Sequence, residues 1–588
     1  MKKRLIQVGI VLVLIAIVIV YMMKTNGEEK KPTNEPTNEI MDLYTYYEVE
    51  EGDDRVIVYL NREKTEHEAV LKDDRVYLSH AMVADYFNSR FYYDTSVNQI
   101  LYTTATEHYK YDIDSARYTV NGEEKVMAYP LAIKENDIVY LDMEQVAECS
   151  DVQYTFVKEP NRLLLVNEWT VVDYVTIKKD GKIRKLAGLQ NPILISAKAG
   201  EKYIYLREAD GWTCVQSEDG VKGYIQTECV GEHTTITLKS NYVEPVYTNI
   251  TRDYKINMAW HQVTNKDANK NLENVMSGVT GVNVISPTWF FMCDNDGNIE
   301  SIATQSYVDK AHSMGMEVWA LVENLRYSKD ISTYQILSNM ESRERLVQKL
   351  ISETLKYNID GINVDIEELS TTAGSAYVQF LRELSVECRK NGIVLSIDNY
   401  VPSASSYHYD RREQGIIADY VIIMGYDEHY AGMAKSGSTA SVGWVEEGIV
   451  NTLKTVPAEK VINAIPFYTR IWKQTPEAVA EKDAPGVLVE DPSSEYGRYL
   501  LTSEAVSMAY AENQLKKHGV TPTWNSVLGQ YYGEYVSGGC TYQIWLEEEE
   551  SIELKMKLIE EYKLAGVAGW KLSLQKNSVW DIIEAHLD

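Results

Sequence analysis

The chain has 588 residues, and its 87 Asp and Glu outnumber its 58 Lys and Arg, which gives a formal net charge of −29 at pH 7. A chain of this length is expected to form several domains. The acidic balance argues against nucleic acid as a partner, because phosphates are bound mainly by Lys and Arg. The 43 Tyr against 7 Phe favour contact with neutral sugars, because a Tyr ring has an apolar face and a polar tip.

The N-terminus begins with a hydrophobic run. Residues 5–23 carry no charge, and Lys2, Lys3 and Arg4 precede them. The run is about long enough to cross a bilayer as a helix, which takes roughly 20 residues, and its basic flank predicts a cytoplasmic N-terminus. A cleaved signal peptide is the alternative, but no small-x-small site follows the run. We therefore expect a single-pass protein of the cell membrane, with the rest of the chain extracytoplasmic.

A weak internal repeat occupies residues 42–167. The strand-like run at 75–78 corresponds to the run at 138–141, and each copy has the order strand, short helix, strand, strand. The pattern resembles the stalk-type module first named from the N-terminus of copper amine oxidases, which implies an extension or glycan-contacting role. His80 and His108 are isolated, so no copper site is expected.

Residues 168–232 have short β-rich runs between turns. The runs at 211–215 and 220–225 resemble the end of a bacterial SH3-like domain. Such domains commonly bind cell-wall peptides, which implies a wall glycan or peptide as a partner; a spacer β-barrel without a ligand is the alternative. Cys214 and Cys229 fall in this segment, and whether they pair stays open. None of the six Cys forms a C-x-x-C pair, so no metal site is expected.

The last part of the chain alternates apolar strand patterns with helical patterns, which is typical of a parallel sheet with helical crossovers. Eight strands are predicted, at residues 256–260, 282–286, 317–322, 361–366, 394–397, 420–424, 461–466 and 567–572. Eight such units fit a TIM (β/α)8 barrel, with an insertion at about residues 472–543 between strands seven and eight. The fold class is therefore α/β, with small α+β and all-β domains and a transmembrane helix before the barrel.

These patterns predict a domain order along the chain. It reads 1–24 cytoplasmic stub and membrane anchor, 25–41 flexible linker, 42–167 stalk-like module, 168–232 SH3-like domain, 233–250 linker and 251–588 barrel. The linker at 25–41 is inferred from its polar composition.

The fourth predicted strand has the most informative pattern. Aliphatic side chains fill every second position, and Asn363, Asp365 and Glu367 occupy the positions between them or just beyond. A strand sends alternate side chains to opposite faces, so the amide and the two acids point the same way, about 6.6 Å apart along the backbone. Like charges held this close push their pKa values apart, which supplies the proton donor and charged partner that glycosidic cleavage needs. The alternative is that the acids only cap a helix or face water.

The run D-G-I-N-V-D-I-E at residues 360–367 resembles the D-G-x-D-x-D-x-E signature of glycoside hydrolase family 18, the chitinase-like family. Three more strand ends resemble that family: M-G-Y-D at 424–427, P-F-Y-T-R at 466–470, and the eighth strand, where Trp570 stands.

The resemblance implies retaining, substrate-assisted hydrolysis of N-acetylglucosaminyl linkages. Glu367 is expected to protonate the glycosidic oxygen, after which the sugar's 2-acetamido carbonyl attacks its own anomeric carbon. Asp365 would orient the amide N–H, Tyr426 would bind the acetamido oxygen, and Trp570 would stack on the sugar. The further substrate-binding residues implied are Asn363, Asp360, Asp427, Tyr468 and Arg470. No metal and no cofactor is required.

Two departures from the family pattern bear on the substrate. Asn363 stands where many members have Asp, so it cannot share a proton with Asp365, and the pH dependence is expected to differ. Residues 320–324 replace the family's S-x-G-G segment. Both departures resemble the bacterial cell-wall and spore-cortex branch, which implies peptidoglycan as the substrate, with chitin-like glycans as the alternative.

Two non-enzymatic functions stay open from the sequence. One is a lectin-like protein that binds glycans with the same barrel, and the other is a surface adhesion protein whose N-terminal modules carry the function. Glu367 favours the enzyme, because barrels of this kind that have lost catalysis usually lose the acid.

Overall fold

The structure is a computed structural model that describes residues 36–481 and 485–587. The chain divides into two compact units. The first comprises the chain up to Ser89 together with Pro130–Val243, and the second comprises Arg90–Tyr129 together with the chain from Glu244 onward.

The membrane localisation predicted from the sequence is corrected here. The apolar run at 5–23 lies outside the described residues. Within the residues that the structure describes, no helix is both long and apolar enough to cross a bilayer. The longest of them, Gly374–Asn391, has 18 residues and includes charged side chains such as Arg382 and Glu383.

The first unit contains a seven-stranded sheet that includes strands from both copies of the predicted repeat. In spatial order its strands are Gln153–Val157, Arg162–Val166, Arg55–Leu60, Glu63–Lys72, Arg75–Ser79, Ile138–Asp142 and Ala132–Glu135. The helices of this part are Leu43–Tyr47, His80–Tyr86 and Met143–Glu148. His80–Tyr86 and Met143–Glu148 each follow the strand that precedes them directly, as the repeat predicts.

The second sheet of this unit is also seven-stranded, and its strands pair with one another in the antiparallel direction. In spatial order its strands are Ile193–Ala197, Gly181–Arg184, Lys222–Gln226, Trp212–Gln216, Lys202–Ala209, Val171–Ile177 and Val230–Thr237. Cys214 lies in the strand Trp212–Gln216 and Cys229 directly precedes the strand Val230–Thr237, and both are buried free thiols. Part of the predicted linker joins this sheet, because the backbone N–H of Met41 donates to the carbonyl of Ile193 at 2.9 Å.

The second unit begins with a five-stranded antiparallel sheet of Tyr92–Asp94, Gln99–Thr103, His108–Asp112, Arg117–Val120 and Glu123–Val126. Buried ion pairs connect this sheet, and the residues directly before it, to helices of the barrel. Arg343 donates to Asp94 at 2.9 Å, and both side chains are fully buried. Arg90 and Arg382 both donate to Glu413, at 2.9 and 2.8 Å.

The rest of this unit is a closed barrel of eight parallel strands. They are β1 (Ile256–His261), β2 (Val284–Met292), β3 (Glu317–Glu323), β4 (Gly361–Asp365), β5 (Val394–Tyr400), β6 (Tyr420–Met424), β7 (Val461–Pro466) and β8 (Gly566–Trp570). β1 pairs with both β2 and β8, which closes the barrel. The predicted TIM barrel is therefore confirmed. β2 runs past its predicted end because its last residues pair with an antiparallel strand, Ile299–Ser301.

Helices cover the outside of the barrel. They are Leu272–Val275, Gln305–Ser313, Thr333–Ser338, Met340–Lys356, Gly374–Asn391, Arg411–Ile417, Val442–Leu453, Glu549–Glu561 and Ser578–Ala585. Outward side chains of the strands, such as Ile362 and Val364, pack against these helices in the largest apolar core. Inward side chains form a second core that includes Trp260 and Trp319. Burial of each large apolar side chain contributes about 1.5–3 kcal/mol.

The predicted insertion lies between β7 and β8. It contains a six-stranded antiparallel sheet and the helix Met508–Lys517. The strands are Tyr468–Pro476, Val487–Asp491, Gly497–Ser507, Thr523–Asn525, Gln530–Ser537 and Cys540–Trp545.

Candidate active site

The candidate site forms at the carboxyl end of β4, where TIM barrels carry their catalytic groups. Ile362 and Val364 point outward into the helix-facing core, so the alternate positions face the barrel interior. Asn363 is therefore fully buried inside the barrel, and Asp365 and Glu367 lie partly exposed at its mouth.

Asn363 uses both ends of its amide inside the protein. Its oxygen accepts from the indole N–H of Trp260 at 2.9 Å and from the Ser286 hydroxyl at 3.1 Å. Because an indole N–H only donates, this contact fixes which end of the amide is oxygen. The amide nitrogen donates to Ser396 Oγ at 3.1 Å and to Asp398 Oδ1 at 2.8 Å. The structure thus places Asn363 beneath the acid pair, enclosed by protein.

Asp365 lies above Asn363 in a strongly acidic environment. Burial raises the pKa of its carboxyl well above the ordinary range. The negative charges of Asp398, Glu367 and Glu323 raise this pKa further. Its Oδ1 is buried without a hydrogen-bond partner among the described residues. A carboxyl group in this setting holds a proton unless a donor or a positive charge approaches it.

Glu367 is positioned through its backbone. Its N–H donates to Asn324 Oδ1 at 2.9 Å, and Asn324 Nδ2 donates back to the Glu367 carbonyl at 2.9 Å. Burial raises the pKa of the Glu367 carboxyl, whereas a hydrogen bond from Tyr400 lowers it. The carboxyl group therefore stays protonated to a higher pH than a free Glu side chain. The next residue, Glu368, adopts a left-handed conformation with φ 52°, and its N–H donates to Tyr400 Oη at 3.2 Å.

Sequence reasoning missed three of these neighbours as site residues: Asn324, Asp398 and Tyr400. Asn324 had a signal, because it stands in the segment that replaces the S-x-G-G motif. Asp398 and Tyr400 occupy alternate positions at the end of β5, a spacing that also marks the acids of β4.

Tyr426 follows β6 and faces the same mouth. Its ring meets the ring of Tyr468 edge-on, with centroids 6.1 Å apart. Burial raises the pKa of Tyr426 well above its ordinary value, and the charges of Asp365 and Glu367 contribute to the rise. The phenol is therefore a neutral donor close to the acid pair.

Three predicted substrate contacts form one cluster beside Tyr426. The hydroxyl of Tyr468 donates to Asp427 Oδ1 at 2.7 Å, and the Arg470 guanidinium lies 3.5 Å from the same oxygen. Asp427 is exposed and has a left-handed backbone with φ 62°.

Trp570 ends β8, next to β7 and across the barrel from the acids of β4. Its ring is partly exposed and meets Trp260 edge-to-face, with centroids 5.7 Å apart. Because Trp260 also donates to the Asn363 oxygen, it links the Trp570 ring to the buried amide beneath the acids.

Asp360 lies apart from the other predicted site residues. It precedes β4, at the amino end of the barrel, whereas the acids follow the carboxyl end. Its Oδ2 accepts from the backbone N–H of Val318 at 2.8 Å and lies 2.8 Å from His312 Nε2. Asp360 therefore does not lie at the mouth with the other predicted site residues, and its carboxylate ties the start of β4 to β3 and a neighbouring helix.

Within the described residues, no three His, Cys, Asp or Glu side chains are arranged to hold a metal ion. The acidic mouth itself combines a proton donor, a buried carboxyl, a neutral phenol and an exposed aromatic face. This set can bind a sugar ring and deliver a proton to an oxygen on it.

Comparison with known proteins gives two family matches. Residues 254–575 match Glycosyl hydrolases family 18, and residues 59–163 match the Copper amine oxidase N-terminal domain. The first match covers more than half of the chain and contains every site residue described above.

Curated relatives are similar to this chain over about half of its length. An uncharacterized glycosylase of Bacillus subtilis, YvbX, is 27% identical over 305 residues, which are 50% of this chain and 81% of that protein. The cortical fragment-lytic enzyme of B. subtilis is 25% identical over 291 residues, which are 47% of this chain and 61% of that enzyme.

Among solved structures, the spore cortex-lytic enzyme SleL of Bacillus cereus is similar, with a TM-score of 0.48 and 19% identity over 60% of this chain and 78% of that one. The extent of the family match, which carries the acid pair at the end of β4, establishes that the chain belongs to glycoside hydrolase family 18.

Proposed function

We propose that this chain hydrolyses N-acetylglucosaminyl linkages with retention of configuration, using the substrate's own acetamido group as the nucleophile. The observation that carries the proposal is the position of Glu367 and Asp365 at the barrel mouth. Glu367 has a raised pKa and can give up a proton there, and substrate-assisted family 18 enzymes need no second carboxylate as nucleophile.

Each group at the mouth has a role in this reaction. Glu367 protonates the glycosidic oxygen as the acetamido carbonyl oxygen attacks the anomeric carbon, which breaks the bond to the leaving sugar and forms an oxazolinium ion. Asp365 accepts a hydrogen bond from the N–H of the acetamido group and offsets the positive charge of the oxazolinium ion. Tyr426 donates to the acetamido oxygen. Glu367 then takes a proton from water as that water opens the ring, so the acid is restored.

Other side chains bind the sugar without taking part in the chemistry. Trp570 offers a partly exposed ring against which the apolar face of a pyranose stacks. Asp427 and Arg470 supply an acceptor and a donor after the neighbouring strands β6 and β7, and Tyr468 holds Asp427 in place.

We favour peptidoglycan as the substrate. Curated relatives of this chain include proteins named cortical fragment-lytic enzyme, from B. subtilis and B. cereus. The antiparallel β unit at 171–237 supports the same choice, if it acts as an SH3-like domain that binds wall peptides. A relative named probable chitinase 2, from Drosophila melanogaster, keeps chitin-like glycans as the alternative.

The test is digestion of purified peptidoglycan and of chitin oligosaccharides by the full chain, with the released reducing ends measured by mass spectrometry. Glu367→Gln is expected to lower kcat by about 10²–10⁴-fold, because it removes the general acid and base. Glu447→Gln, on the exposed face of a barrel helix, is the matched control and is expected to keep full turnover.

Unchanged turnover in Glu367→Gln would contradict the proposed function. Binding to either glycan by the wild-type chain without any release of reducing ends would contradict it as well. Release from one substrate only decides between peptidoglycan and chitin.

A further inference from the structure

A third carboxyl group lies inside the barrel next to the acid pair. Val364 of β4 pairs with Ile397 of β5, so the next residue on each strand brings Asp365 beside Asp398. Asp398 is 3% exposed. A carboxyl group enclosed this far within a barrel is costly to ionise without a partner, so its place beside Asp365 calls for an explanation.

The orientation of the Asn363 amide explains why an acid stands at position 398. Its amide oxygen is occupied by Trp260 and Ser286, which forces its N–H₂ group toward β5. The N–H₂ group donates to Asp398 Oδ1 at 2.8 Å. An Asp at position 363 would instead bring a second carboxylate against Asp398. The amide of Asn363 on β4 and the carboxyl of Asp398 on β5 are thus complementary as hydrogen-bond donor and acceptor.

The three carboxyl groups of Asp398, Asp365 and Glu367 affect one another. The charges of Asp398 and Glu367 raise the pKa of Asp365, and the charge of Glu367 raises that of Asp398, both of which burial has already raised. Other titratable groups act on this row or face it: Glu323 from β3, Glu368 after β4, Tyr400 from β5, Tyr426 and Asp427 after β6, Tyr377 from the helix Gly374–Asn391, and Tyr409.

We propose that Asp398 is the proton-exchange partner of Asp365, so that the inner acid of this site stands on β5 instead of β4. The proposal rests on the proposed function and adds a positioning residue to it. In the resting protein one proton is held between Asp365 and Asp398. When the substrate amide approaches, the proton moves from Asp365 to Asp398, Asp365 becomes the anion that accepts the amide N–H, and the total charge of the pair is unchanged.

The surroundings of Asn363 allow the acid and the amide to be exchanged between the strands. Ser396 Oγ accepts from Asn363 at 3.1 Å and can equally donate to a carboxylate, because a hydroxyl does both. Trp260 and Ser286 are donors and suit Asp as well as Asn at position 363. The double variant Asn363→Asp with Asp398→Asn therefore keeps the hydrogen bonds and the number of acids.

The first experiment follows the Asp365 carboxyl directly. The full chain is labelled with ¹³C at Asp carboxyl carbons, the Asp365 signal is assigned with Asp365→Asn, and its titration is followed by NMR. Asp398→Asn is expected to lower the pKa of Asp365 by about one unit or more, because a neighbouring negative charge is removed. The exposed Asp581→Asn is the control and is expected to leave this titration in place.

The second experiment measures the pH profile of kcat/KM on the substrate that the wild type cleaves. In Asp398→Asn the acid limb, which reports ionisation of Asp365, is expected to move to lower pH by about the same amount as the NMR titration. The double variant is expected to move the limb back toward its wild-type position. If Asp398 only filled space, Asp398→Asn would change neither the acid limb of kcat/KM nor the NMR titration of Asp365.

An unshifted Asp365 titration in Asp398→Asn overturns the proposal, whatever the activity of that variant. A double variant that folds but fails to restore the limb overturns it too. These results differ from failure of the proposed function, which would appear as a wild-type chain that releases no reducing ends from either glycan.

Discussion

At the scale of single residues, the position of Glu367 depends on an amide side chain from a neighbouring strand. Asn324 binds both the N–H and the carbonyl of Glu367 and also donates to Thr333 Oγ1 at 3.0 Å. The acid follows the last residue of β4, where strand pairing no longer holds the backbone. Asn324 therefore replaces the missing strand contacts.

Asn324→Ala is expected to lower kcat by at least about 10-fold, because small errors in the placement of a catalytic group reduce rates strongly. KM is expected to change little, since Asn324 does not reach the sugar. Asn324→Asp keeps the acceptor for the Glu367 N–H and serves as the partial variant, with an intermediate kcat. Steady-state kinetics on the cleaved glycan measure both, and an unchanged kcat in Asn324→Ala would show that the contact is dispensable.

We expect Tyr400 to set the upper end of the pH range of activity. Its hydrogen bond lowers the pKa of Glu367 against the effect of burial. Tyr400→Phe removes that bond, so the pKa of Glu367 rises and the acid keeps its proton to higher pH. The basic limb of kcat/KM is therefore expected to move to higher pH in this variant, and a limb that moved to lower pH would contradict this role.

The acids of the site were predictable and their partners were not. Asp365 and Glu367 sit in one run whose alternation can be read from the sequence. Asn324 and Asp398 come from β3 and β5, and their approach to β4 is set by barrel closure, which no local spacing reveals. The sequence pattern places Asp360 with the acids because it opens the same run, although Asp360 precedes β4 and the acids lie at the carboxyl end of that strand.

At the scale of elements, the five-stranded sheet at residues 92–126 is part of the barrel unit. In the sequence repeat, the strands Tyr92–Asp94 and Gln99–Thr103 of this sheet correspond to Gln153–Val157 and Arg162–Val166. The latter two strands belong to the first unit. Local patterning is the same in both copies. What separates them is the set of buried partners, because Asp94 meets Arg343 far along the chain, and local patterns do not carry that information.

Asp94→Ala tests this attachment. It removes one of two carboxylates on the fully buried Arg343 and leaves the pair with Glu383, at 3.0 Å. The free energy of unfolding is expected to fall by about 1.5–3 kcal/mol, the cost of losing a charged buried hydrogen bond. Denaturant unfolding measures it.

The control for that measurement lies on the helix Met340–Lys356, which also carries Arg343. Glu341→Ala breaks an exposed pair with Arg345, in which the Glu341 side chain is 81% accessible. Such pairs contribute under about 1 kcal/mol, so a small change is expected. Equal losses from the two variants would mean that the sheet adds nothing to the stability of the barrel.

The barrel strands were predicted well because each is an apolar run with clear ends. The exceptions have a physical reason. β2 extends to Met292 because Ile299–Ser301 folds back beside it, and a pairing of this kind depends on the partner as much as on the strand itself.

At the scale of the whole molecule, the charge of −29 sets how the chain meets an anionic polymer. Peptidoglycan carries carboxylates on its peptides, whereas chitin oligosaccharides are neutral. Raising the ionic strength from 0.01 to 0.15 M shortens the Debye length from about 30 to about 8 Å and screens the repulsion. KM for peptidoglycan is therefore expected to fall with salt while KM for chitin oligosaccharides stays constant, as measured by initial rates. A KM for peptidoglycan that rose with salt would indicate attraction between the two.

The pairing of Asp94 with Arg343 has a consequence for biosynthesis. The two residues are 249 positions apart. A ribosome that adds about 5–20 residues per second needs about 12–50 s to make that stretch. During most of this interval the early strands have left the exit tunnel, while the helix on which they dock has not yet been made. Nascent chains released before that helix emerges would therefore present those strand edges to chaperones and to one another.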